Sequence, residues 1–155
     1  MERITQEELS DLIMDNRDNM YRLAFSILRN DADAQDAVSE AIVLAFEKSH
    51  QLRKISSAKS WLMQILVNSS KKIAVQSNKY VLSENELWYE KTEEFKDDDM
   101  WETVMELDEE FRKVVVLYYY EQFSVNEIAK ILKISSGTVK SRLSRARARL
   151  LCIIR

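Results

Sequence analysis

The 155-residue chain contains no proline, one glycine, one cysteine and one histidine, and each scarcity excludes something. Hairpins and β-sandwiches depend on turn residues, so their shortage favours long uninterrupted helices. Cys152 has no second cysteine with which to close an internal disulfide, and the N-terminus carries no apolar signal core, so a cytoplasmic protein is expected. Neither Cys152 nor His50 has partners at a ligand or catalytic spacing, and no Gly-rich phosphate loop is present. An enzyme is therefore not expected, nor a metal, a cofactor or a small-molecule substrate. No apolar run approaches the length that crosses a bilayer. What the chain does have is 46% hydrophobic residues, spaced mostly with a helical period. The expected fold class is all-α, with room for two small helical units even though units of that size bury proportionally little surface.

Charge divides the chain into three blocks. Residues 1–82 carry 11 basic and 11 acidic side chains, residues 83–110 carry 2 and 13, and the remainder is strongly basic. From Glu127 to Arg155 there are eight Lys or Arg against one acidic residue, in a chain of net charge −3. Such local sign reversal is what a nucleic-acid footprint looks like.

The stretch Ser124 to Leu151, SVNEIAKILKISSGTVKSRLSRARARLL, reads as a helix-turn-helix. Ser124 with Glu127 three positions on forms a capping box. Val125, Ile128, Ala129, Ile131 and Leu132 make an apolar stripe, with Ile134 in the turn. Gly137 stands at the entry to the second helix, where a missing side chain allows close approach of backbone to another surface. In that second helix Val139, Leu143, Ala146 and Leu150 share the core sector at 100° per residue. Thr138, Ser141, Arg142 and Arg145 point away from it, with Lys140 and Arg149 on the flanks. These short polar groups and cations suit base edges and phosphates in a major groove. The bland alternative is an amphipathic helix with a solvated basic face.

Upstream, residues 6–29 predict a first helix on Leu9, Ile13, Met20, Tyr21, Ala24, Phe25 and Leu28, interrupted at Asn30 and Asp31. A second spans about Ala32 to Ser49, with Val38, Ala41, Ile42, Ala45 and Phe46 inward and Asp33, Asp36, Glu40 and Glu47 outside. That acidic face also reads as a solubilising surface. Residues 50–59 predict a loop, with Ser57 or Ser60 capping a third helix that runs to about Lys79. Trp61, Ile65, Asn68 and Lys72 fall in one sector of it, an arrangement able to follow a single strand by stacking and charge, unless Trp61 is core and Asn68 surface. Ser83 to Asp99 predicts a polar, acidic linker, and helical patterning resumes at Met100. FRKVVVLYYYEQF, from Phe111, predicts the segment that packs under the helix-turn-helix.

Together these pieces resemble a bacterial RNA polymerase sigma factor of the extracytoplasmic function (ECF) group, the small type with regions 2 and 4 only. Four segments carry the resemblance. Tyr21 to Lys48, YRLAFSILRNDADAQDAVSEAIVLAFEK, is similar to region 2.1–2.2, and Ser60 to Asn68, SWLMQILVN, to the Trp-containing helix of region 2.3–2.4. Phe111 to Leu132, FRKVVVLYYYEQFSVNEIAKIL, resembles region 4.1 and the start of 4.2. Ser136 to Leu150, SGTVKSRLSRARARL, is the most specific.

The resemblance implies a region 2 unit over residues 6–80, an acidic linker over 81–99 and a region 4 unit over 100–155, the two units flexibly tethered. It implies that Asp33, Asp36 and Glu40 dock on core RNA polymerase. It implies that the loop from Leu52 to Ala58, with Arg53 and Lys54, and the helix bearing Trp61, Asn68 and Lys72 capture a base flipped from the −10 element, at a stacking cost of a few kcal/mol. Thr138, Lys140, Ser141, Arg142, Arg145 and Arg149 would read the −35 duplex. Core polymerase, promoter DNA and an anti-sigma factor, commonly membrane-anchored, are the implied partners. The chain departs from the family pattern at Leu52, Lys54 and Ala58, at Leu107-Asp108 in place of Leu-Pro, and at Lys72 and Val75. A stand-alone helix-turn-helix regulator binding operator DNA is the competing expectation. Finally, net −11 over residues 83–110 beside net +7 over Glu127 to Arg155 raises the expectation that the acidic block folds across the recognition helix, against that of a merely solvated linker.

Overall fold

The structure, a computed structural model, describes residues 3–77 and 99–154. Among these, seven α-helices and two short 3-10 turns are the regular elements, joined to one π-helical turn. The acidic linker expected over residues 81–99 lies almost wholly outside the described residues, and so do Asp97 and Asp98 of the block expected to cover the recognition helix.

Helix α1, Gln6–Leu28, opens on a capping box the sequence reading did not single out. Glu8 N–H donates to Thr5 Oγ1 and Thr5 N–H to a Glu8 carboxylate oxygen, each at 3.0 Å. Those bonds hold the Glu8 carboxyl below its usual pKa. The helix ends on Arg29, whose φ of 51° places it in the left-handed region. Asn30 then caps α2, Asp31–Glu47, accepting from Asp33 N–H at 2.8 Å. A hard stop and a hard start on adjacent residues make the α1–α2 corner tight, and the Tyr21 hydroxyl ties it down by donating to Asp31.

Helix α2 turns alanines inward: Ala34, Ala37, Ala41 and Ala45 are fully buried. Small side chains let its axis approach α1 and α3 closely. Phe46, expected inside, is instead 38% exposed, at the edge of an open concavity that Val38 and Ile42 also line. The expected loop over 50–59 contains 3-10 turns at Ser49–Gln51 and Ile55–Ser57. Helix α3, Ala58–Ser77, starts without the expected serine cap. Ser60 Oγ donates to Ser57 O at 3.1 Å instead of accepting an amide.

The second unit begins with α4, Asp99–Met105, then α5, Glu109–Val115, which runs directly into a π-helical turn at Val116–Tyr120. Glu121 N–H reaches Val116 O, five residues back, at 2.9 Å. Helix α6, Val125–Leu132, and α7, Ser136–Ile154, complete the chain. Trp101, Val104, Met105, Phe111, Val114 and Leu117 bury against Ile128, Ile131, Val139 and Leu143 as the core of this unit.

Elements of the two units pack against one another. Their buried side chains form one continuous cluster, in which α1 packs on α5 and the π turn, and α3 packs on α6. Arg112 on α5 is 7% exposed and reaches into α1. Its Nε donates to Ser26 O at 2.6 Å and its Nη2 to Ile27 O at 3.5 Å, while Nη1 donates to Leu107 O at 2.6 Å. Ser26 and Ile27 are among the last four carbonyls of α1, which have no partner inside the helix and carry its negative dipole end. The last turn of α1 has no basic residue of its own, and the other unit supplies one.

Candidate nucleic-acid interface

The helix-turn-helix is built from local hydrogen bonds that follow the sequence closely. Ser124 Oγ accepts from Glu127 N–H at 3.1 Å, and Ser124 N–H donates to the Glu127 carboxylate at 2.9 Å, which is the expected capping box. Lys133, with φ 59°, ends α6 in the left-handed region, and Ile134 N–H returns to Ala129 O at 3.0 Å. This six-to-one closure is a Schellman turn. It usually uses glycine, and here a lysine bears a steric cost of roughly 1–2 kcal/mol. Gly137 stands at the entry to α7, as expected, with no positive φ, and a Cβ there would meet only Ser135 Oγ at 3.9 Å. No close approach within this chain demands it.

Ser135 caps α7, its Oγ accepting from Thr138 N–H at 3.1 Å and sharing a 2.8 Å hydrogen bond with the Thr138 hydroxyl. Val139, Leu143 and Ala146 are buried and anchor the helix. That leaves Lys140, Ser141, Arg145 and Arg149 exposed and Thr138 and Arg142 half-buried, all on the open side. Two of the cations have acidic partners from the start of the second unit. Arg142 Nη2 lies 3.7 Å from Glu110, and Arg149 Nη1 lies 3.8 Å from Asp108, with the Arg149 guanidinium 5.2 Å over the Phe111 ring. Arg147 donates from Nε to the Tyr119 hydroxyl at 2.6 Å. Glu110, Ser135, Thr138, Ser141, Arg142 and Arg145 line one open concavity, so hydroxyls and guanidinium groups converge on a single surface. Oriented donors of this kind suit phosphate oxygens and the acceptor edges of bases.

The second set of predicted residues gathers around α3. Arg53, Lys54, Asn68 and Lys72 are exposed and Trp61 is half-buried. Leu52 and Ala58 are buried, at 5% and 3% exposed, whereas Ile55 between them is 39% exposed. Lys72 Nζ lies 3.3 Å from the Glu40 carboxylate on α2, which joins a residue expected at DNA to one expected at polymerase. Asp36 is exposed and Asp33 half-buried on the same α2. Near the other unit, Lys59 Nζ sits 5.2 Å from the centroid of the Phe123 ring. Burial and then the charge of Lys113 push the Lys71 pKa down, with Lys133 and Arg142 acting in the same sense and Glu109 opposing.

Comparison with known proteins assigns this arrangement. Residues 12–77 match the family model for Sigma-70 region 2, and residues 97–150 match that for Sigma-70, region 4. RNA polymerase sigma factor SigV of Bacillus subtilis (strain 168) is 34% identical over 151 residues, covering 92% of this chain and 88% of that protein. The chain belongs to the sigma-70 family of RNA polymerase sigma factors. Its relatives include the ECF sigma factor SigM of Mycobacterium tuberculosis, 30% identical over 135 residues, which covers 84% of this chain and 69% of SigM. It is thus a sigma factor of the ECF group. In fold it is similar to the sigma factor RpoE solved with the anti-sigma factor NepR from Bartonella quintana, with a TM-score of 0.77, 21% identity, and 96% of this chain and 97% of that one covered. CnrH, solved with the cytosolic domain of CnrY, aligns with a TM-score of 0.70 at 23% identity over 97% of this chain and 89% of that one.

In this sigma factor the predicted −35 residues occupy one continuous face of α7, while the predicted −10 residues divide between an exposed set on α3 and its preceding loop and a buried pair. Sequence reasoning missed Glu110, Arg112 and Glu121. No local pattern marks which of the charged residues in this part of the chain reach another element. No helix among the described residues is long and apolar enough to cross a membrane.

Proposed function

We propose that this sigma factor directs promoter-specific initiation through two readers carried on core RNA polymerase. Helix α7 enters the major groove of the −35 element with Thr138, Lys140, Ser141, Arg142, Arg145 and Arg149. Helix α3 and the loop before it take a base of the −10 element with Arg53, Lys54, Trp61, Asn68 and Lys72, while Asp33, Asp36 and Glu40 on α2 dock on core polymerase. The chain acts where the polymerase acts, in the cytoplasm, without catalysis or cofactor of its own, and an anti-sigma protein is the expected inhibitor.

The observation that carries the −35 assignment is the polar, cationic face of α7, held outward by a buried Val139–Leu143–Ala146 stripe in the segment that matches region 4. Run-off transcription with core polymerase and a genomic promoter library tests the whole. Core-dependent transcripts should appear, and reversing Arg142 and Arg145 to Glu should abolish them while leaving the thermal melt unchanged. Unaided binding to a palindromic duplex, with no core-dependent initiation, would refute the proposal in favour of a stand-alone regulator.

A further inference from the structure

Gly137 is the only glycine among 155 residues, and nothing in its surroundings explains it. It is the second residue of α7, its φ is not positive, and a Cβ there would meet only Ser135 Oγ, at an ordinary contact distance of 3.9 Å. After proline, glycine is the residue that least favours a helix, because it has the most backbone freedom to lose. Alanine would fit this position and suit the helix better. A glycine that the fold does not require points to a surface outside the chain that comes too close for a side chain.

Its place on the helix says which surface. At the helical period Gly137 stands nearly opposite the buried stripe of Val139, Leu143 and Ala146, with Ser141 beside it one turn on. It is exposed, and it lines the same open concavity as Thr138, Ser141, Arg142 and Arg145. A helix with its side chains is about 10–12 Å across and the major groove about 12 Å wide, so a helix seated there has little clearance. The readers differ in reach. Thr138 and Ser141 carry their hydroxyls directly on Cβ, so they touch base edges only when the helix backbone itself is close. Arg142 and Arg145 end on long stems that tolerate a wider gap.

We propose that Gly137 is a specificity-determining residue for the −35 element: its bare backbone lets α7 seat deep enough in the major groove for Thr138 and Ser141 to read bases. The inference rests on the function proposed above and adds two effects of opposite sign. A side chain at position 137 strengthens the fold and weakens sequence-specific binding. Binding to DNA of any sequence, carried by the arginines on phosphates, changes little.

The test uses the full chain on core polymerase, a promoter duplex recovered from the run-off library, and the same duplex with its −35 half scrambled. Gly137→Ala should raise the melting temperature of the free chain by roughly 1–3 °C. It should nonetheless lower promoter affinity about threefold or more, the loss of a hydroxyl contact. Gly137→Val, with the larger side chain, should lower it about tenfold or more. Both should hold affinity for the scrambled duplex within about twofold of the unaltered chain. Ser141→Ala should weaken promoter binding by the unaltered chain and add nothing to Gly137→Val, whereas Arg145→Ala should weaken both alike. Undiminished promoter affinity in the two Gly137 variants overturns the assignment, and so does an equal loss on both duplexes. A fall in melting temperature for Gly137→Ala also overturns it, since the fold would then require the glycine. If the unaltered chain on core polymerase binds both duplexes alike, the proposed function fails and this assignment with it. A promoter preference that survives Gly137→Val removes the role of the glycine alone.

Discussion

Glu110 offers a sharp test of how the recognition helix is set up for DNA. Its carboxylate lies 3.7 Å from Arg142, with the Arg142 side chain 26% exposed and that of Glu110 51% exposed. A DNA phosphate approaching Arg142 must displace Glu110 and is itself repelled by it. An ion pair this exposed is worth about 0.2–1 kcal/mol once solvent screening is allowed for. Glu110→Gln should therefore tighten binding of a −35 duplex by a factor of roughly 1.4 to 5. Fluorescence anisotropy with the core-bound chain reads this directly. The gain should be largest at about 50 mM salt and shrink at about 200 mM, where the Debye length falls below 10 Å. In an Arg142→Ala background it should largely disappear. Weaker binding by Glu110→Gln, or an equal gain with and without Arg142, would refute the competition between carboxylate and phosphate.

Two further outcomes are expected. Ser124→Ala removes the side-chain acceptor of the α6 capping box and should cost about 1 kcal/mol, a fall of roughly 2–4 °C in melting temperature for a chain of this size that melts as one unit, whereas Glu127→Gln, which can still reach back to the Ser124 amide, should cost less. Burial pushes the Glu121 pKa above the usual 4.5, with Arg22 and then Lys59 opposing, so in the pH window just above 4.5 the folded chain holds a proton that the unfolded chain has released. Glu121 thus contributes increasing stability as pH falls through that window and a penalty once it is charged. Chemical denaturation across the window should show Glu121→Gln at least as stable as wild type near neutral pH, with the difference closing on acidification, and a gap that widens on acidification would contradict the assignment.

The helix-turn-helix was legible because its signals are local. Ser124 and Glu127 mark a start, and an apolar stripe at helical spacing says which residues go inside. Val139, Leu143 and Ala146 are indeed buried. The positive φ that closes the turn falls on Lys133, a residue with no turn preference of its own, so the sequence did not mark it. Leu52 and Ala58 were assigned to DNA by their place in a motif, and nothing in the polar loop tells that both are buried while Ile55 between them stays 39% exposed. Phe46 takes an inward place by helical spacing and is nonetheless 38% exposed, at an open concavity that Val38 and Ile42 also line. Arg112 and Glu121 lay beyond sequence reasoning altogether. Each is buried only because a helix some 80 to 100 residues away supplies its partners, and no periodicity records a contact of that range.

The division of labour within the second unit follows from how little of α7 is available for packing. Of its 19 residues only Val139, Leu143 and Ala146 are buried, so most of its circumference is left open and it contributes little to the core. The stability of the unit must then come from α4 to α6, where Trp101, Val104, Val114, Val116, Leu117 and Ile128 are fully buried. The end of α7 shows the consequence: past Leu150 the stripe has nothing left to pack on, and Leu151 and Ile154 are 61% and 58% exposed. Binding and stability therefore separate along this helix by face. Changes at Arg145 or Lys140 alter affinity without disturbing the fold, whereas Leu143→Ala, at a cost of about 2–5 kcal/mol, removes the anchor that orients every reader on the opposite side.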